Sequence, residues 1–177
     1  MGIIYRDLHS AELHRIAEID RAEEILERYY MQNGELQLRP DQQIVTHFDK
    51  DELEEIIRRQ HKLIDTGGRV IGAFNQNTLV GVASVEGVKR GARNNYLKMD
   101  ILYVSKNIRG QKAGQNLLEQ CKIIAKNLGA EKLYISATPT KNTVDFYLKN
   151  DAVITKEINP ELFALEPEDI HLELGVG

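Results

Sequence analysis

The chain has 177 residues, 42% of them hydrophobic and 28% charged, with a formal net charge of −4, one Cys and no Trp. This is the profile of one ordinary globular domain spanning residues 1–177, and it excludes disordered, collagenous and coiled-coil classes. A chain of this size buries roughly 70% of its unfolded surface and needs no disulfide or metal staple.

The mild acidity argues against nucleic acid as the main partner, because phosphate binding asks for a basic surplus. No apolar run approaches the roughly 20 residues that span a bilayer. The lone Cys121, and an opening run to Arg6 too short in apolar residues for a leader, predict a cytoplasmic protein.

In chain order, residues 10 to 30 read as a helix capped by Ser10, with Leu13, Ile16, Ala17, Ala22, Ile25, Leu26 and Tyr29 at three- and four-residue spacing. Its stripe slips near Asp20, and residues 31 to 48 carry no assignment. A second helix starts at the cap Asp49, with Glu52 three residues on. It buries Leu53, Ile56, Ile57, Leu63 and Ile64 and ends at Gly67-Gly68. Val70–Phe74 and Leu79–Val85, around Asn75-Gln76-Asn77, form an antiparallel hairpin.

A polar loop from Gly87 to Asn95 leads to a long strand, Tyr96 to Val104. A helix follows, with Leu117, Leu118, Cys121, Ile124, Ala125 and Leu128 on its buried face and Gly129 as its stop. Leu133–Ala137 is a strand, 141–150 a short helix, and 152–158 and 170–176 two closing strands. Antiparallel strands followed by a β-α-β crossover predict a mixed sheet with helices on its faces, an α/β arrangement.

The most informative segment runs from Leu102 to Gly114, where an apolar strand passes through a short turn into an amphipathic helix. Such a turn aims unpaired backbone N–H groups outward, and the helix dipole adds positive character, so it is a cradle for phosphate or pyrophosphate. Arg109 and Lys112 reinforce that sign. Neither GxGxxG nor GxxxxGK followed by Ser or Thr is present, so the cradle is not a Rossmann or P-loop site.

At these residues the chain resembles the GNAT superfamily of acyl-CoA-dependent N-acyltransferases. The family pattern Arg/Gln-x-x-Gly-x-Gly/Ala aligns with Arg109-Gly110-Gln111-Lys112-Ala113-Gly114, with Lys112 at the first motif glycine. A second signature, a short helix carrying a tyrosine, matches Thr140 to Ala152, with Phe146-Tyr147-Leu148-Lys149 at its centre. Asp151-Ala152 stands where the family has Gly-Phe or Gly-Cys, and Thr140 where it has asparagine, with Asn142 nearby.

The resemblance implies the GNAT fold, an α+β arrangement with a mostly antiparallel twisted sheet of about six to seven strands and about four helices. It also implies acetyl-CoA as cosubstrate and direct transfer of the acetyl group to a primary amine of a small molecule or protein. Arg109, Gly110, Gln111, Lys112, Ala113, Gly114, Asn142 and Lys149 would hold the cofactor. The backbone of Leu102, Tyr103 and Val104, on a bulged and splayed strand, would pair with pantetheine and serve the oxyanion. Tyr147 would protonate the leaving thiolate, and no metal is implied. The family's several dimer modes leave a homodimer open.

Asp100, placed by strand alternation on the face of Leu102 and Val104, is the first candidate for a base and Glu86 the second; a carboxylate there is equally a partner for Lys98 or Arg93. Cys121 reads as packing rather than as a nucleophile, and the five histidines show no metal-ligand spacing. Lys112 in place of glycine keeps one alternative alive, a non-catalytic acyl-CoA-binding sensor or interaction module.

Overall fold

The computed structural model describes residues 2–177. A seven-stranded sheet has the order β1-β4-β5-β6-β7-β9-β8. Its strands are β1 (Ile4–Asp7), β4 (Arg69–Asn75), β5 (Thr78–Val85), β6 (Tyr96–Val104), β7 (Lys132–Ala137), β8 (Val153–Ile154) and β9 (Ile170–Gly175). Neighbours are antiparallel except β6 and β7, which run parallel. The helix α2 (Ala113–Asn127) makes the crossover between those two. A separate hairpin pairs β2 (Glu23–Gln32) with β3 (Glu35–Val45).

Two cores sandwich the sheet. The buried face of α2 (Leu117, Leu118, Cys121, Ile124 and Ala125) packs with Val80, Leu97, Met99, Ile135 and Leu172 on one side. On the other, α1 (Lys50–Asp65) and a 3₁₀ segment (Ser10–Glu18) bury Leu13, Ile16, Ile56 and Leu63 against Val70, Leu79, Val82 and Ile101. Asp49 caps α1 as expected, accepting from the backbone N–H groups of Asp51 and Glu52 at 3.1 and 3.4 Å.

Three expectations need correction. Residues 10 to 30 are not one helix: a 3₁₀ segment ends at Glu18, and Glu23–Gln32 is a strand. The unassigned stretch after it supplies the second strand of that hairpin. The turn between them is Asn33-Gly34, both with positive φ (52° and 78°), the backbone required by a two-residue type I′ turn.

The strand expected over 152–158 shrinks to Val153–Ile154. Asn159 then caps α4 (Pro160–Leu165), accepting from Leu162 N–H at 3.1 Å with Pro160 in the first turn. The third correction concerns the face that Asp100 takes on β6, where the bulge itself is as the resemblance implies. Ala83 pairs with Leu102 but Val85 with Met99, so β6 carries one more residue than β5 across the interval and bulges at Asp100-Ile101.

Candidate active site

The bulge reverses which face each later residue of β6 takes. Leu97 and Met99 point into the α2 core, whereas Ile101 joins the α1 core and Tyr103 packs on it; Leu102 and Val104 turn to the α2 side. β6 also leaves β7: their pairing runs only from Tyr96 with Lys132 to Met99 with Ile135. Beyond those residues the parallel strands diverge into a cleft.

The Ser105 N–H donates to Val80 C=O at 2.8 Å, which sets the ladder phase between β5 and β6. By antiparallel alternation Tyr103 exchanges its backbone bonds with Val82, and Leu102 and Val104 direct theirs away from β5 into the cleft. Arg109 takes the Val104 carbonyl through Nε at 3.0 Å. The cleft therefore keeps the Leu102 N–H and C=O and the Val104 N–H. Of the three residues expected to offer backbone here, Tyr103 does not.

Around the cleft lies a cavity of about 710 Å³, walled by Asp100–Val104, the Arg109-Gly110 turn, the start of α2, Ser136–Thr138 and the helix α3 (Lys141–Lys149). The hairpin closes one side. Tyr29 donates its N–H to Pro139 C=O at 2.7 Å and its hydroxyl to Asp145 at 2.6 Å.

At one end of the cavity, α2 presents an uncapped N-terminus. Its first helical bond is Asn116 N–H to Lys112 C=O, so the N–H groups of Ala113, Gly114 and Gln115 have no helical acceptor. Gly110 has φ +80°, and Lys112 has φ 67° and ψ 7°. It occupies the left-handed region that glycine adopts without penalty, which explains why the family pattern carries glycine there.

Lys112→Gly should therefore leave stability unchanged or raise it by up to about 1 kcal/mol, as read by thermal unfolding, while removing an ammonium from the cradle. Gly114 has a different reason: a Cβ would stand 3.2 Å from the Phe146 ring, so this glycine lets α2 and α3 approach.

Tyr147, on α3, is buried with its ring edge-on to Phe146 and lines the cavity. Burial, reinforced by Cys121 and Tyr103, pushes its phenol well above the ordinary tyrosine value. Burial likewise pushes the Cys121 thiol up to about 12, consistent with a packing role. Asn142 lines the cavity. Lys149 is exposed at the end of α3, outside the cavity wall, where Asn150 stands instead. Gln111 is also outside, its amide bonded to Asn107 C=O at 3.1 Å. Ser136, Thr138 and Asn150 were not anticipated; for the first two, the end of a strand running into a short helix was the available signal.

Asp100 differs most from expectation. Because of the bulge it shares the α1 face with Lys98, not the face of Leu102. Its carboxylate accepts from Arg59 and Lys98, each at 2.8 Å, and from Gln60 at 2.7 Å, with its side chain 1% exposed. Burial acts to raise this carboxyl, but the Lys98 and Arg59 charges overcome it and hold it below the usual range. A carboxylate so saturated is an anchor between α1 and β6, unsuited to accept a proton. Glu86 is likewise engaged, with Arg90 at 3.0 Å.

Among the described residues, no group of three or more His, Cys, Asp or Glu side chains could hold a metal ion, and no helix is long and apolar enough to cross a membrane.

A bulged strand splayed from its parallel neighbour, with an uncapped helix N-terminus at one end of the cleft, is the strand-and-helix geometry that the sequence resemblance implies. The chain belongs to the GNAT acetyltransferase family, whose family model matches residues 20–151. No curated protein matches the chain.

Among solved structures, nourseothricin acetyltransferase has a TM-score of 0.74 at 15% identity, with all of both chains covered. A Bacillus anthracis str. Ames protein solved with acetyl coenzyme A has 0.72 at 18%, with 99% of each chain covered. PaiA N-acetyltransferase from Thermoplasma acidophilum, solved with coenzyme A, has 0.61 at 20%, again over 99% of each chain. At these identities the likeness is one of fold.

Proposed function

We propose that the protein is an N-acetyltransferase that moves the acetyl group of acetyl-CoA directly to a primary amine. The observation that carries this reading is the opening between β6 and β7. It leaves backbone donors of Leu102 and Val104 facing a cavity that Tyr147 also lines, with the α2 N-terminus at one end. The donor set fits the cosubstrate: uncapped N–H groups beside Arg109 and Lys112 suit a pyrophosphate, and the strand edge suits the amides of pantetheine. Bound there, acetyl-CoA supplies an activated thioester.

The protein's part is positioning and charge placement. An N–H of Leu102 or Val104 stabilises the oxyanion that forms as the neutral amine attacks; one such donor is typically worth about 10²–10³ in rate. Tyr147 gives its proton to the departing thiolate. Its raised pKa keeps the phenol protonated until the thiolate forms beside it. The name of the nourseothricin neighbour favours a small-molecule acceptor over a protein one.

The test is an amine panel with acetyl-CoA, read by product mass and by thiol release. Amine-dependent release with an acetylated product is expected. Calorimetric binding of acetyl-CoA without any release would overturn transfer and leave a CoA-binding module.

A further inference from the structure

The acetyl-transfer reading requires a group that takes a proton from the acceptor ammonium, and neither Asp100 nor Glu86 is free to do so. Two other carboxylates line the cavity directly, Glu52, which is paired with Arg21, and Glu23 at the start of β2, the direct competitor for this role; another carboxylate reaches the cleft indirectly. Ser136 is the first residue of β7 past its last partner on β6, and it lines the cavity at the point where the strands part. Its hydroxyl donates to Asp169 Oδ2 at 3.0 Å. Asp169 is half-buried on the turn before β9, tied there by its own N–H to Glu166 C=O at 3.2 Å.

The charged groups around Asp169 leave its carboxylate without an ion pair among the described residues. Lys98 on β6 is taken by Asp100, and Arg28 on β2 is shared between Asp41 and Glu168. Glu166, at the end of α4, adds a like charge, and His171 on β9 is turned to the Tyr134 hydroxyl at 2.7 Å. Burial, with Glu166 adding to it and with the Ser136 bond, Lys98 and Arg28 opposing it, pushes the Asp169 carboxyl up to about 6. At neutral pH it is ionised, yet more basic than an ordinary aspartate.

We propose that Ser136 is the catalytic proton relay of the acceptor site and Asp169 the positioning carboxylate that receives the proton through it. This rests on the acetyl-transfer reading. One N–H bond of the ammonium breaks and its proton passes to Ser136 Oγ, while the Ser136 hydroxyl proton moves to Asp169 Oδ2. The nitrogen keeps the electron pair with which it attacks, and the serine is restored. The acceptor class that follows is a primary amine, protonated in water, that enters from the Ser136 side.

The experiment measures kcat/KM against pH with the best amine of the panel for wild type, Asp169→Asn, Ser136→Ala and Glu23→Gln, with acetyl-CoA affinity taken by calorimetry. Wild type should lose activity below about pH 6 as Asp169 protonates. Asp169→Asn should lower kcat/KM by about a hundredfold, abolish that acid limb and leave acetyl-CoA affinity unchanged. Ser136→Ala should lower the rate without the aspartate being touched, which covers the case in which the Asp169 variant does not fold.

An intact acid limb and rate in both Asp169→Asn and Ser136→Ala would overturn the relay and leave acetyl transfer standing. So would a limb lost only in Glu23→Gln. A wild type that binds acetyl-CoA but acetylates no amine overturns both readings, so the two failures are told apart.

Discussion

Replacing Tyr147 with Phe should lower kcat for acetyl transfer by about two to four orders of magnitude, with acetyl-CoA affinity unchanged. The prediction follows from the position of the phenol. The ring is part of the α2 core and packs edge-on to Phe146, whereas the residue also walls the cavity facing the splayed strand. Phe keeps the ring and its packing, so the fold and the cosubstrate site persist, and the change removes one oxygen and its proton. Single-turnover thiol release, with calorimetry alongside, separates the two quantities. A Phe variant with wild-type turnover would show that water protonates the thiolate and that Tyr147 serves only the core.

Asp100→Ala should destabilise the protein by about 3–5 kcal/mol, measured by urea unfolding. The side chain is almost wholly buried and is the common acceptor for Arg59 and Gln60 of α1 and Lys98 of β6, so truncation leaves cationic donors facing a void. The pH dependence has a defined sign. The folded carboxyl lies below its unfolded value of about 3.9, so its contribution is fully present above that value and is lost as pH falls through the folded pKa. Asp100→Ala should therefore flatten the acid side of the stability profile. If Asp100 were instead the base, its removal would cost turnover with little loss of stability.

The elements that sequence alone identified are those with strong local signals. α1 has a capping Asp49, an apolar stripe and a Gly-Gly stop. β4 and β5 are continuous apolar runs on either side of a polar turn. The step from β6 to α2 combines an apolar strand, a small-residue turn and a heptad-like buried face, and it carries the motif from Arg109 to Gly114. The β2–β3 hairpin was missed because Ile25 and Tyr29, four apart, satisfy helical and strand periods equally well. The discriminating signal was Asn33-Gly34, placed between two runs of similar length.

Lys112 was legible as a departure from the family motif. Its left-handed backbone was not, because a lysine gives no local reason to adopt one.

The composition, the order of most elements, the cradle at the start of α2 and the presence of Tyr147 were set out by the residues themselves, since each rests on contacts within a few positions of the chain. The proton chemistry was decided in three dimensions. A single extra residue at Asp100-Ile101 turns the alternation of β6 over, sending Asp100 to Arg59 and Gln60 and leaving Leu102 and Val104 toward the cleft. Asp169 and Ser136 meet only because β9 pairs alongside β7, 33 residues away in the chain. Strand register and bulges arise from pairing between distant segments, so side-chain alternation along one strand could not reveal which carboxylate is locked in the core and which reaches the cleft.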